Sequence, residues 1–69
     1  MKPFVVDVFT SDSKNVVRCN RVETESMDTA ERILESRMEY PNVSRIVISR
    51  RLGGGGVSKM KVWSRELAS

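Results

Sequence analysis

The sequence predicts a single α+β domain over residues 1–69, with the element order ββαββ and one helix packed on an antiparallel four-stranded sheet. Two segments near each end of the chain alternate apolar and polar residues with the period of a strand. Between these pairs lies one stretch whose apolar residues recur at helical spacing. A chain of 69 residues has room for one core only, because it buries about 60% of the surface that it exposes when unfolded.

The N-terminal segments predict a β-hairpin. Residues 4–10 are rich in β-branched and aromatic types, and Phe4 and Val8 belong to the same alternating row. A cluster of polar turn residues follows at 11–15. The second strand is predicted at 16–24, where both rows mix apolar and polar residues, as is typical of an edge strand or a twisted one.

The next segment predicts an amphipathic helix. Ser26 is the expected N-cap, and Asp28 lies in the first turn, where the helix dipole favours a carboxylate. Tyr40 and Pro41 end the helix, because the residue before a proline avoids the helical region. The apolar stripe of this helix consists of Met27, Ala30, Ile33, Leu34 and Met38.

Two further strands are predicted at 43–52 and 57–65, and the short glycine-rich connection between them makes them antiparallel neighbours. One amphipathic helix across one sheet lets both elements bury an apolar face. The predicted core consists of Phe4, Val6, Val8, Val22, Ala30, Ile33, Leu34, Met38, Ile46, Ile48, Met60 and Val62.

Residue counts exclude several kinds of chemistry. The chain has no His and a single Cys, Cys19, which rules out His-based catalysis, a Cys/His zinc site and an internal disulfide. We therefore expect a binding protein that is not an enzyme, with no metal and no cofactor. No apolar stretch is long enough for a signal sequence or a membrane span. This absence and the free thiol favour the cytoplasm, without a membrane partner.

The basic charge is concentrated in the C-terminal half. Residues 1–39 carry a net charge of −2, and residues 40–69 a net charge of +5. Strict alternation places five cations and one indole together on the sheet face opposite the helix. Such a face suits a nucleic acid or an acidic protein surface, and the alternative is a solvated face with the indole lying flat over its neighbours. The predicted partner-binding or nucleic-acid-binding residues are Arg45, Arg51, Lys59, Lys61, Trp63 and Arg65.

The glycine run consists of Gly53, Gly54, Gly55 and Gly56. Exposed backbone N–H groups can hold a phosphate, but a phosphate loop leads into a helix, and the residues after this run alternate like a strand. The run therefore predicts a mobile hairpin tip. Because a two-residue turn closes a hairpin with less entropy to lose, we expect the tip to contact a partner and become ordered there, with drift as the alternative.

The middle of the chain resembles small phage proteins that disable host machinery. The run Arg21-Val-Glu-Thr-Glu-Ser-Met-Asp-Thr-Ala-Glu-Arg-Ile33 combines a strand, a capping Ser and an Ala-x-Arg-Ile helix, and Val43-Ser-Arg-Ile46 follows. This layout is similar to that of small type I-F anti-CRISPR proteins and of a small phage inhibitor of host RNA polymerase. The four-glycine tip departs from the anti-CRISPR pattern, so no binding residues are carried over. The resemblance implies inhibition by occupancy, in which a compact protein covers a nucleic-acid channel or a moving part of a larger complex.

Taken together, these features lead us to expect a non-enzymatic, phage-type inhibitor of a host nucleic-acid-handling complex. It would act by steric occupancy in the host cytoplasm, as a monomer or a weak dimer. The alternative is a nucleic-acid-binding domain that uses its basic sheet face directly, and an enzyme is a distant third.

Overall fold

The computed structural model describes residues 2–65 and confirms the predicted fold class, a small α+β domain. The four strands form one antiparallel sheet in the order β2-β1-β3-β4. The elements are β1 (Phe4–Ser11), β2 (Val17–Thr24), α1 (Met27–Arg37), β3 (Val43–Arg51) and β4 (Val57–Ser64).

The chain order places the helix over three of the four strands. β2 and β3 each pair antiparallel with β1, so they run in the same direction and the chain between them crosses β1. α1 forms this crossing and packs on β1, β3 and β2, whereas no Cα of α1 lies within 8 Å of a Cα of β4. We call the helix-packed side the covered face, which carries Val6 and Ile48, and the other side the open face, which carries Val5 and Val47.

The helix begins at the predicted cap and ends earlier than expected. The Ser26 hydroxyl accepts a hydrogen bond from the Thr29 N–H at 3.2 Å, which satisfies one of the free donors of the first turn. The last helical residue is Arg37, followed by Met38 as the C-cap. The chain therefore leaves the helix before it reaches Pro41.

The core forms between α1 and the covered face. A buried cluster consists of Val6, Val8, Ala30, Leu34, Val43, Ile46 and Ile48. Partly buried side chains packed against it are Phe4, Val22, Met27, Ile33, Met38 and Trp63. Every predicted core residue belongs to one of these two sets, except Met60 and Val62.

The prediction that Met60 and Val62 are buried is wrong: they are 49% and 48% exposed. The cause is a register shift between β3 and β4, where Ile48 pairs with Lys61 but Ser49 pairs with Lys59. Met60 is the extra residue of this β-bulge, and one extra residue reverses the faces of all residues beyond it. The rows of β4 after Met60 are therefore the reverse of the predicted rows.

Candidate functional site

The six predicted binding residues do not share one face of the sheet. Directly opposite residues of an antiparallel pair project to the same side. By this register, Lys61 and Trp63, opposite Ile48 and Ile46, belong to the covered face, so the prediction of one shared open face is wrong. The bulge at Met60 is again the reason. The open face receives Arg45, Arg51 and Lys59, and Arg65 lies beyond the end of β4.

Arg51 is engaged in an ion pair across the open face. Its Nη2 donates to Glu23 Oε1, and this pair crosses β1 because β1 lies between β2 and β3. Val5, opposite Glu23 on β1, is only 3% exposed although no helix covers it. Among residues 2–65, Arg51 Nε is buried without a hydrogen-bond partner. The Arg51 side chain therefore has a structural role on the open face, in addition to any contact with a partner.

A second ion pair neutralises the other carboxylate of the open face. Asp7 and Arg21 lie opposite each other on β1 and β2, with Arg21 Nε 2.8 Å from Asp7 Oδ1. Arg45 instead lies over the ring of Phe9, with its guanidinium carbon 5.9 Å from the ring centroid. Within residues 2–65, Arg45 and Lys59 form no ion pair. These two residues give the open face its unbalanced positive charge.

On the covered face, the side chains of β4 lie beyond the edge of the helix. Trp63 is partly buried against the core cluster, next to Ile46, whereas Lys61 is exposed. The Cα atoms of α1 do not come within 8 Å of those of β4, so this side of β4 is accessible beyond Trp63. Lys61 is therefore available to a partner approaching β4.

Arg65 has a structural role that its sequence position does not reveal. Its guanidinium donates to the carbonyl oxygens of Met38 at 2.9 Å, Tyr40 at 3.0 Å and Val43 at 3.1 Å. It also lies 5.3 Å from the centroid of the Trp63 ring. Carbonyl groups at the C-terminal end of a helix have no partner within the helix. Arg65 donates hydrogen bonds to two carbonyls that follow α1, those of Met38 and Tyr40. It ties the end of β4 to the segment that follows α1.

We define the cationic hairpin as residues 43–65, which comprise β3, the glycine tip and β4. This segment contains no Asp or Glu. Sequence reasoning left out the exposed Arg50, because its row matches that of the buried Ile48. The position of Arg50 beside the glycine tip was the sequence signal that could have indicated its exposure. The cations of the hairpin are Arg45, Arg50, Arg51, Lys59, Lys61 and Arg65.

The glycine tip has a defined backbone that needs glycine at two positions. Gly54 and Gly55 have φ values of 90° and 91°, a region that other residues rarely adopt. The Leu52 N–H donates to the Gly56 carbonyl at 2.8 Å and closes the loop. A Cβ at Gly53 would meet no atom within 4 Å. Contact between the tip and a partner stays a prediction.

Cys19 lies on β2 in an environment that disfavours its thiolate. Its Sγ is 3.9 Å from Asp7 Oδ1. Desolvation raises the pKa of the Cys19 thiol, and the Asp7 charge raises it further, while Arg21 acts in the opposite direction. Because the thiolate is the nucleophile, Cys19 is a poor candidate for covalent chemistry.

Residues 2–65 show neither a cluster of metal ligands nor a membrane-spanning helix. Residues 2–65 contain no group of three or more His, Cys, Asp or Glu side chains placed to hold a metal ion. No helix in the same range has the length and apolar character to cross a membrane.

Comparison with known proteins finds no matching protein family, no similar curated protein and no similar solved structure. The function is therefore inferred from the contacts and charges of the cationic hairpin.

Proposed function

We propose that this protein is a small non-enzymatic binding protein that inhibits a host nucleic-acid-handling complex by steric occupancy. The resemblance to small phage inhibitors implies this class of activity. The observation that carries the proposal is the cationic hairpin, a segment without acidic residues whose outer strand is not covered by the helix. Its exposed cations are the part of the molecule best suited to a partner.

The charge of the hairpin limits where it binds on such a complex. Channels that hold nucleic acid are themselves lined by cations, so a cationic hairpin is repelled from an empty channel. It is attracted instead to an acidic protein surface, where complementary charge accelerates association and selects the partner. We therefore place the contact on an acidic surface of a moving part of the complex, where occupancy blocks the motion.

Exposed apolar side chains lie beside these cations and can be buried in an interface with a partner. Met60 and Val62 are 49% and 48% exposed on β4, and Leu52 and Val57 are exposed next to the tip. A stable interface needs about 800 Å² from each partner, roughly a sixth of the 5174 Å² that this protein exposes.

The test combines affinity capture with a competition measurement. Tagged protein is incubated with bacterial lysate treated with nuclease, and the captured assembly is identified and purified. The purified assembly is then given labelled nucleic acid and increasing amounts of this protein. We expect its nucleic-acid-dependent activity to fall to a plateau at a fixed stoichiometry, while this protein alone leaves the labelled nucleic acid unbound.

Two results would contradict the proposal. One is the recovery of no specific assembly from any nuclease-treated lysate in which the tagged protein stays folded. The other is a captured assembly whose activity is unchanged at saturating protein.

A second candidate function is direct binding of nucleic acid by the cationic hairpin. The observation that favours it is the pairing of cations with aromatic rings, Arg45 over Phe9 and Arg65 over Trp63, since phosphates attract cations and bases stack on aromatic rings. Arg65 is already bonded to backbone carbonyls, so it contributes less than its charge suggests.

A gel-shift titration at two salt concentrations separates the two candidates. Direct binding to duplex DNA would weaken with a log-log slope of about −0.9 for each phosphate contacted. Replacing both Lys59 and Lys61 by Glu would abolish it. The proposed inhibitor instead gives no shift with DNA or RNA at either salt concentration.

A further inference from the structure

A groove lies on the covered face at the end of the sheet near the β1–β2 turn. Because α1 ends at Arg37, the strands beyond that point have no helix over them. The groove has a volume of about 300 Å³ and an apolar floor formed by Val8, Val22 and Val43, of which Val22 is partly exposed and the other two are buried. It is large enough for a small ligand, since ligand pockets start at about 300 Å³.

Three neutral polar side chains line this groove: Thr10, Asn20 and Asn42. Within residues 2–65, none of them donates or accepts a hydrogen bond through its side chain. Each amide offers both a donor and an acceptor. The groove therefore presents unused hydrogen-bonding groups above an apolar floor.

One guanidinium group lines the groove, and a second lies in the cavity beside it. Arg37 lies over the ring of Tyr40, 5.8 Å from its centroid, and both residues line the groove. Arg18 lines an adjoining cavity of about 430 Å³. The acidic residue of that cavity, Asp12, is occupied, because its Oδ1 accepts from the N–H groups of Lys14 and Val16. An anion in the groove therefore meets the guanidinium of Arg37, while Arg18 and the Asp12 carboxylate lie in the adjoining cavity.

The wall of the groove is held in place by the backbone. The segment 38–42 carries Tyr40 and Asn42, and Tyr40 N–H donates to Arg37 O while Val43 N–H donates to Tyr40 O. Ser11 N–H donates to Asn42 O at 2.9 Å. Arg65 adds its bonds to the carbonyls of the same segment. A wall fixed before binding lowers the conformational entropy that the protein loses when a ligand binds.

We infer that this groove binds a nucleotide. The nucleobase lies on the valine floor beside Tyr40, where Asn20 and Asn42 bond its edge, and the phosphate meets the guanidinium of Arg37. Apolar side chains and amides suit a nucleobase, and a guanidinium can bind a phosphate through two parallel hydrogen bonds. The inference goes beyond the proposed function, because none of the six cations of the cationic hairpin is among the residues that line the groove.

The test is an NMR titration of the ¹⁵N-labelled protein with the four nucleoside monophosphates, ribose 5-phosphate and inorganic phosphate. We expect saturable shifts of the Asn20 and Asn42 side-chain amides with at least one nucleoside monophosphate. Inorganic phosphate and ribose 5-phosphate bind about tenfold more weakly, since they lack the base.

Variants locate the binding in the groove. Arg37→Gln and Asn20→Ala are each expected to weaken the affinity about tenfold, and the matched control Arg32→Gln, on the same helix outside this groove, leaves it unchanged. The Lys59→Glu/Lys61→Glu variant also retains the affinity, which separates this inference from the proposed function. All variants are compared at equal folded fraction by circular dichroism.

Three outcomes would overturn the inference. The first is no saturable shift with any nucleotide at millimolar concentration. The second is equal affinity for inorganic phosphate and for every nucleotide, which would make the groove an anion site without base recognition. The third is an Arg37→Gln affinity that equals the Arg32→Gln affinity.

Discussion

Arg65 illustrates how a cation in a basic segment can serve the fold as well as a partner. Its three hydrogen bonds go to carbonyl oxygens of residues 38–43, more than twenty positions away in the chain. A charged donor to a carbonyl contributes more than a neutral one. The residues that it holds also form the wall of the groove proposed to bind a nucleotide.

We expect Arg65→Lys to lower the free energy of unfolding by about 1 kcal/mol, because the lysine ammonium cannot reproduce the fork of a guanidinium. Urea denaturation measures the effect as a lower midpoint at an unchanged m-value. The matched control is Arg45→Lys, since Arg45 lies over Phe9 and makes no such backbone bonds. Equal losses for the two variants would contradict the structural role of Arg65.

Cys19 allows the electrostatics of the open face to be measured. Desolvation and the Asp7 charge raise the pKa of its thiol, and Arg21 opposes them. In Asp7→Asn the negative charge is lost and Arg21 is released from its ion pair, so both effects lower this pKa. We expect the pH profile of Cys19 alkylation to move to lower pH, with a rate at pH 8 about two to five times higher. Glu25→Gln is the control, and a profile unchanged by Asp7→Asn would refute the assignment.

At the scale of elements, alanine substitutions in the glycine tip can distinguish positions that need a positive φ from positions that only need space for a side chain. Gly54 and Gly55 have positive φ values, whereas Gly53 does not. We expect Gly54→Ala and Gly55→Ala each to destabilise the protein by about 1 kcal/mol, and Gly53→Ala to be neutral or slightly stabilising. Thermal unfolding of the three variants measures this. Identical melting temperatures would show that the tip does not hold this conformation.

The elements themselves are largely predictable because their signals are local. Alternation predicts the four strands, and the cap at Ser26 predicts the start of the helix. The faces of β4 are not predictable in this way, since the bulge at Met60 depends on how β4 pairs with β3. Likewise, Val5 and Val47 are buried on the open face, which an alternating pattern of one buried row cannot indicate.

At the scale of the whole molecule, the cations of the candidate site were predictable from the sequence, but their grouping was not. A charge count places six cations and no acid in residues 43–65. The division between the two faces of the sheet and the bonds of Arg65 depend on tertiary pairing. The candidate surface is therefore a strand with cations on both sides, not one flat basic face.

The edges of the sheet favour a monomer. β4 has Lys59 and Lys61 on either side of its bulge, and both lysines and bulges oppose edge-to-edge pairing. We expect sedimentation velocity to give one species at the mass of a single chain at micromolar concentration. A species at twice that mass at the same concentration would contradict this expectation.

The central claim is that the partner complex binds the cationic hairpin, and an affinity titration of the purified complex tests it most directly. The titration compares the natural sequence with Lys59→Glu/Lys61→Glu and with Lys2→Glu/Lys14→Glu, which changes the chain's other two lysines and alters the net charge equally. We predict an affinity at least about tenfold weaker for the hairpin variant and no comparable loss for the control. Equal affinities for all three proteins, or a larger loss for the control, would contradict the claim.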